Sequence, residues 1–131
     1  MYINVDNQKT YIATGSKDHI QGNLGITFVH GTAMDHTVWT LASRHFARRG
    51  LNILAVDLPG HGRSEGDVIS SIEGMADWVV KALDASNQDK TIIVGHSMGS
   101  LVAFDVAARY PDRITALAMV GTSIPMPVGD V

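Results

Sequence analysis

A serine flanked by glycines is the residue of this sequence best placed to do chemistry. Ser97 stands in the segment Gly95-His96-Ser97-Met98-Gly99, directly after an apolar run and directly before an apolar stretch with helical character. A serine hydroxyl is a poor nucleophile unless it is held outward and offered to a base. A sharp turn between strand and helix holds it so, and glycines two positions to either side leave room for that turn. The pattern predicts a nucleophilic Ser97, supported by Gly95 and Gly99.

Two backbone N–H groups are expected to stabilise the negative charge that develops on an attacked carbonyl oxygen. The first belongs to Met98, at the start of the helix, where the helix dipole also favours negative charge. An oxyanion needs a second preorganised donor. The loop His30-Gly31-Thr32-Ala33 follows an earlier apolar run and can supply it; Thr32 is the first choice and Ala33 the second. We interpret the His30 side chain as a buried support of this loop and not as a base.

A second loop, Asp57–Ser64, follows another apolar run and contains two glycines and a proline. These residue types predict a compact turn. We interpret Asp57 and His61 as hydrogen-bonding supports of that turn and not as catalytic groups. A metal site on this His–Asp pair is not expected, since no further ligand stands at suitable spacing.

The turns that could carry chemistry all follow short apolar runs, which indicates buried strands. The runs are Ile26–Val29, Ile53–Val56, Ile92–Val94 and Ala116–Val120. Runs that are apolar on both faces are typical of parallel strands covered by helices on both sides. Two earlier strand-like pieces, Tyr2–Val5 and Thr10–Thr14, are separated by Asp6-Asn7, which predicts an antiparallel hairpin at the start.

Helical patterns separate the later strands. The first covers Thr37–Arg49, with Val38, Leu41, Ala42 and Phe46 on one side; the second opens with the capping box Ser70-Ser71-Ile72-Glu73; the third covers Ser97–Tyr110. Alternation of strands and helices predicts an α/β fold with a mainly parallel sheet of about six strands, helices on both faces and antiparallel first strands. Ligands of such sheets bind at the carboxyl ends of the strands.

Length and composition exclude several classes of protein. The 131 residues suffice for one core and not for two, and with a net charge of −3 nothing points to a polyanionic partner such as nucleic acid. Because no apolar run approaches a membrane span and no secretory signal opens the chain, we expect a cytoplasmic protein without a membrane partner. There is no cysteine, which removes thiolate ligands and nucleophiles. The glycine-rich turns lack phosphate-binding spacings, so no cofactor and no metal is expected.

Taken together, His30-Gly31, Asp57–Ser64 and Gly95–Gly99 resemble the amino-terminal half of the α/β-hydrolase fold family, in the group of esterases, haloperoxidase-like enzymes and C–C hydrolases. The resemblance covers nearly the whole chain. It implies a serine hydrolase that acts on an ester or related acyl bond of a small-molecule substrate, with Ser97 as nucleophile and the N–H groups of Met98 and Thr32 as oxyanion donors. We call the sharp turn Gly95–Gly99 the elbow. A serine in place of an aspartate at the elbow argues against the epoxide-hydrolase and haloalkane-dehalogenase branches.

The family's triad follows the chain order serine, acid, histidine. All six histidines of this sequence precede Ser97, and the acids after it are Asp105, Asp112 and Asp130. Asp130 follows the last strand, a position that some relatives use for the acid. We therefore interpret residues 1–131 as the amino-terminal part of a single hydrolase domain, a truncated core that ends where a cap or lid begins, and expect this fragment to be nearly inactive alone.

Other functions stay open. The chain could be a non-catalytic binding module that keeps the hydrolase turns as a scaffold, since a fold does not give a function. An acyltransferase or thioesterase shares the same first half, and a second chain could supply the later strands and the missing histidine. The unpaired sixth strand predicts self-association through the exposed sheet edge.

Overall fold

The computed structural model describes residues 1–122 and shows one six-stranded sheet with three α-helices. The strands are β1 (Tyr2–Val5), β2 (Gln8–Ala13), β3 (Gly25–Val29), β4 (Asn52–Val56), β5 (Thr91–His96) and β6 (Ile114–Val120). Their order in the sheet is β1-β2-β4-β3-β5-β6. β2 pairs antiparallel with β1 and β4, whereas the β4–β3, β3–β5 and β5–β6 pairs are parallel. The predicted mainly parallel sheet with antiparallel first strands is confirmed.

The opening hairpin turns at Asp6 and Asn7, as predicted. Both residues have positive φ, 51° and 62°, and Val5 pairs with Gln8 across the turn. Two-residue hairpins favour such left-handed turns because their twist matches that of the strands, and Asp and Asn tolerate this conformation best among residues with a side chain. The turn fixes the register of β1 on β2, and β2 begins two residues earlier than the pattern indicated.

Helices cover both faces of the sheet, each over its own apolar cluster. On one face lie α2 (Ile72–Ala85) and α3 (Met98–Arg109), which pack with Leu54, Val56 and Ile93 of the strands. On the other face lies α1 (Thr40–Ala47), beside the cluster of Ile26, Phe28, Trp39, Ala47, Ile53 and Ala55. Alternate residues of β3 and β4 therefore serve opposite cores, which is why these strands are apolar throughout.

The first predicted helix differs from the observed one. A 3₁₀ turn covers His36–Trp39 and α1 follows it, so the regular helix is shorter than Thr37–Arg49. The prediction that Val38 and Leu41 belong to the packed side was wrong, because these side chains are 50% and 82% exposed.

Ala42 and Phe46 pack against the cluster on this face as predicted, and small residues occupy the fully buried positions of α1. Ser43 and Ala47 are buried, and a Cβ added to Gly15 would lie 2.7 Å from the Ser43 carbonyl oxygen. The helix therefore approaches the backbone that follows β2 too closely for a large side chain.

The second helix begins one residue later than the capping box from Ser70 to Glu73 predicted. Ser71 Oγ accepts a hydrogen bond of 3.0 Å from the Gly74 N–H, so Ser71 is the N-cap residue. The buried side chains of α2 include Met75, Val79 and Leu83, in the predicted helical spacing. With these side chains, α2 packs into the same apolar cluster as β5 and α3.

The strand β6 forms one end of the sheet. It pairs with β5 on one side, and its other edge has no partner strand within residues 1–122. The apolar side chains Leu117 and Val120 are 36% and 46% exposed. Self-association through this edge stays a prediction. No helix in the described part of the chain is both long and apolar enough to cross a membrane.

Candidate active site

Ser97 is the single residue between the end of β5 and the start of α3. Its backbone has φ 55° and ψ −121°, a conformation that residues with a side chain rarely adopt and that costs about 1–3 kcal/mol. The Ser97 N–H donates to the Val120 carbonyl oxygen at 2.9 Å, and its carbonyl oxygen accepts from Ser100 Oγ. The residue is half-buried and forms no side-chain hydrogen bond within residues 1–122. Among the described residues, the hydroxyl therefore has no partner and stands in a strained turn, as a nucleophile requires.

The two glycines of the turn lie where no side chain fits. A Cβ added to Gly99 would lie well inside 3.0 Å of the carbonyl oxygens of Val29 and His30, and one added to Gly95 would lie 2.6 Å from Ser100 Cα. These neighbours are backbone atoms and cannot rotate away. The sharp turn thus depends on glycine at both positions, because β3, β5 and α3 meet here almost backbone to backbone.

The loop that follows β3 lies beside the serine. A Cβ added to Gly31 would lie 3.3 Å from Ser97 Cβ, and Thr32 Oγ1 donates to Met98 Sδ at 3.3 Å. The N–H of Met98, the first residue of α3, has no partner inside the helix. The fold thus brings Ser97, Met98, Gly31 and Thr32 together, as the carboxyl ends of adjacent parallel strands must. Ala33, the second candidate donor, follows with a positive φ of 58°.

His30 holds this loop to the one after β4. Its side chain is fully buried; Nδ1 donates to the Gly31 carbonyl oxygen at 2.8 Å, and Nε2 accepts from the Leu58 N–H at 3.1 Å. Burial lowers the pKa of His30, because the charged ring is poorly solvated there, although the hydrogen bond to Gly31 opposes this effect. With both nitrogens engaged, His30 has no lone pair left to accept a proton from Ser97.

Replacing His30 with asparagine is expected to change how stability depends on pH. Because the folded-state pKa lies below the ordinary 6.5, the unfolded chain takes up the proton first as the pH falls. The stabilisation from neutral His30 is complete above pH 6.5 and is lost as the pH falls through the lowered pKa. We expect His30→Asn to cost about 1–3 kcal/mol at neutral pH through the lost hydrogen bonds.

The free energy of unfolding in urea, measured at about pH 7.5 and about pH 5.5, checks this expectation. The wild-type chain should lose stability between these values and His30→Asn should lose less. His45→Asn, which changes an exposed histidine of α1, is the matched control. An equal pH dependence in wild type and His30→Asn would contradict the role assigned to His30.

Asp57 stabilises the loop after β4 from inside the protein. Its carboxylate is fully buried and accepts from the His36 N–H at 2.7 Å, His36 Nδ1 at 2.9 Å and the Arg63 N–H at 2.8 Å. A Cβ on Gly62 would overlap this carboxylate. The sequence singled out His61 near Asp57, but His61 Nδ1 instead lies 3.0 Å from the Pro59 carbonyl oxygen. The partner from the neighbouring loop, His36, was missed.

Asp35, His36 and Asp57 form a group of three potential metal ligands among residues 1–122. Both Asp57 oxygens and His36 Nδ1 are used in the hydrogen bonds between them, and Asp35 Oδ1 accepts from the Thr37 N–H at 2.8 Å. His36 Nδ1, both Asp57 oxygens and Asp35 Oδ1 therefore already have hydrogen-bond partners within the protein.

The remaining titratable groups do not complete a triad in the described part of the chain. His96 is next to Ser97, but it packs edge-on against Trp39 and its buried Nδ1 has no hydrogen-bond partner within residues 1–122. Asp105 forms an ion pair with Arg109 at 2.7 Å, and Asp112 is exposed. Asp130 lies outside the described residues. No acid or histidine among residues 1–122 forms a hydrogen bond with the Ser97 hydroxyl.

Comparison with known proteins identifies the family. The model of the alpha/beta hydrolase fold matches residues 26–130 of this chain. The chain belongs to the alpha/beta hydrolase fold family. The matched range contains the elbow at Ser97 and the loops after β3 and β4, so the family's features and the geometry described above concern the same residues.

A curated relative of this chain is a pimeloyl-[acyl-carrier protein] methyl ester esterase of Citrobacter koseri, 37% identical over 103 residues. The match covers 79% of this chain and 38% of the relative. Two solved structures are similar to this chain at 26% identity. A bacterial membrane phospholipase A has a TM-score of 0.82, and the match covers 91% of this chain and 38% of that one. Est816, an N-acyl homoserine lactone degrading enzyme, has a TM-score of 0.81, and the match covers 97% of this chain and 49% of that one. The chain therefore spans less than half the length of these proteins.

Proposed function

We propose that this hydrolase cleaves an ester or related acyl bond of a small-molecule substrate, with Ser97 as the nucleophile. The observation that carries the proposal is the backbone of Ser97, held at φ 55° and ψ −121° between β5 and α3. Backbone strain costs stability and is concentrated at functional sites, and a free hydroxyl on a strained residue suits nucleophilic attack. The curated relative named as a methyl ester esterase supports the same class of bond.

The reaction begins when Ser97 Oγ attacks the carbonyl carbon of the substrate and gives its proton to a base. The carbonyl oxygen becomes negatively charged, and the backbone N–H groups of Met98 and Thr32 donate to it. When the tetrahedral intermediate collapses, the bond to the alcohol breaks, and the alcohol takes up the proton from the base. Water then attacks the Ser97 ester, which releases the acid and restores the hydroxyl.

The base of this scheme has to come from outside the described residues. None of the six histidines follows Ser97 in the sequence, and no histidine among residues 1–122 forms a hydrogen bond with its hydroxyl. We propose that the acid and the base of the triad belong to a longer protein, and that the chain is nearly inactive by itself.

A non-catalytic binding module is the second candidate function, and the missing base favours it. An acyltransferase or thioesterase would differ from an esterase in the acceptor of the acyl group.

Turnover of p-nitrophenyl acetate by the 131-residue chain tests the inactivity. We expect the wild-type chain and Ser97→Ala to hydrolyse the ester at the same low rate, since oxyanion donors alone give a small residual rate. Fast turnover that disappears in Ser97→Ala would contradict the expected inactivity and would show that a base within the chain reaches the hydroxyl.

A cytoplasmic location and the lack of nucleic-acid and membrane partners stay predictions.

A further inference from the structure

A cavity of about 290 Å³ lies between β2 and α1, on the face of the sheet opposite α2 and α3. Tyr11, His36, Ser43 and Arg44 are among its lining residues. A second cavity, of about 550 Å³, shares Gly15, Ser16 and Arg44 with the first and adds Lys17 and Arg48. Because the cavities share their walls, they form one groove, which we call the basic groove.

The charge of this groove is positive and unpaired. Lys17, Arg44 and Arg48 are exposed, and none of them forms an ion pair within residues 1–122, whereas Lys81, Arg109 and Arg113 each bind a carboxylate. No acidic side chain lines either cavity, although Asp18 is the sequence neighbour of Lys17. In a chain with a net charge of −3, three cations around one groove create a local field that attracts anions.

A histidine nitrogen adds a second and independent feature. His36 lines the first cavity, with Nδ1 bonded to Asp57 and no hydrogen bond to Nε2 within the described residues. Ser43 lines the same cavity, but its Oγ is buried and does not face the groove.

We propose that the basic groove is a binding site for a phosphoryl group, either inorganic phosphate or the phosphomonoester of a small molecule. The planar guanidinium of Arg44 suits the oxygens of a phosphate, and Lys17 and Arg48 supply further positive charge. The groove shares no lining residue with Ser97, Met98 or Thr32, so this site is separate from the proposed acyl site. His36 connects the two regions through Asp57, which fixes the loop after β4.

Titration of the 131-residue chain with sodium phosphate, followed by amide NMR shifts, tests the site. Sodium chloride at matched ionic strength is the blank, because unspecific screening affects every exposed charge. We expect saturable shifts at Ser43, Arg44 and Ser16 with phosphate and none with chloride. Arg44→Gln should weaken phosphate binding about tenfold, since it removes a charge-assisted pair. Glycerol 3-phosphate should produce shifts at the same residues, and tighter binding than phosphate would identify a phosphomonoester as the better ligand.

Two further variants keep the result open to refutation. Arg49→Gln is the matched control, because Arg49 belongs to the same basic segment but donates to His45 and does not line the groove. Ser43→Ala is a second control, because its buried hydroxyl does not face the groove; this variant should fold normally and bind phosphate as tightly as the wild-type chain. Shifts that grow linearly with phosphate, or an equal affinity in Arg44→Gln and Arg49→Gln, would overturn the proposal.

Discussion

Replacing Ser97 with alanine in the full-length protein is expected to lower kcat/KM for an activated acyl ester by about 10⁴-fold or more. The alanine removes the attacking oxygen but leaves the N–H groups of Met98 and Thr32 in place, so only the residual rate from oxyanion stabilisation and binding should remain. Binding of a non-hydrolysable ester analogue should change little, because the hydroxyl contributes chiefly to the transition state. Steady-state kinetics and a binding titration together check both expectations.

A serine outside the site provides the control for this change. Ser70 is exposed and precedes the cap of α2, so Ser70→Ala should keep the wild-type rate. If Ser97→Ala retained more than about a tenth of the wild-type kcat/KM, another group would have to be the nucleophile. If neither wild type nor variant cleaved any of a series of acyl esters and thioesters, the binding-module alternative would be favoured.

The second large effect concerns the fold. Replacing Gly99 with alanine is expected to destabilise the chain by about 3 kcal/mol or more, or to prevent folding altogether. The added Cβ would overlap the carbonyl oxygens of Val29 and His30, which belong to a central strand and to the loop beside Ser97. Relief would need a displacement of α3 from β3, which would also move the Met98 N–H away from Thr32. The free energy of unfolding in urea is the measurement.

Gly50→Ala separates this packing effect from the effect of backbone conformation. Gly50 has φ +86°, but a Cβ there would meet nothing within 4 Å, so alanine should cost only about 1 kcal/mol from the unfavourable φ. Gly99 has the opposite situation, with an ordinary helical backbone and no space. A Gly99→Ala chain no less stable than Gly50→Ala would contradict the close approach of β3 and α3 at the elbow.

Much of the fold follows from local patterns in the sequence. The apolar runs before Gly31, Asp57 and Gly95 become β3, β4 and β5, because parallel strands buried on both faces need apolar residues at every position. The elbow follows from Gly95 and Gly99, since spacing and flanking elements together are specific to a strand–turn–helix. These features are local, so a single sequence is sufficient to predict them.

Features that depend on packing between distant segments could not be predicted in this way. His36 binds Asp57 because β3 and β4 are adjacent and in register, Val29 opposite Val56, which brings the two following loops together. The fully buried residues of α1 are Ser43 and Ala47, because the backbone at Gly15 lies close to the helix, whereas hydrophobicity alone favoured Leu41. In both cases, the distance between two backbones determines which side chain lies inside.

Covalent labelling is the most direct test of the role assigned to Ser97. A fluorophosphonate reacts with a serine hydroxyl only where a base and oxyanion donors activate it. We expect the full-length protein to incorporate one equivalent, with peptide mapping by mass spectrometry locating the adduct on Ser97, and Ser97→Ala to incorporate none. A folded full-length protein that stays unlabelled, or an adduct that maps to another serine while Ser97 remains unmodified, would contradict Ser97 as the nucleophile.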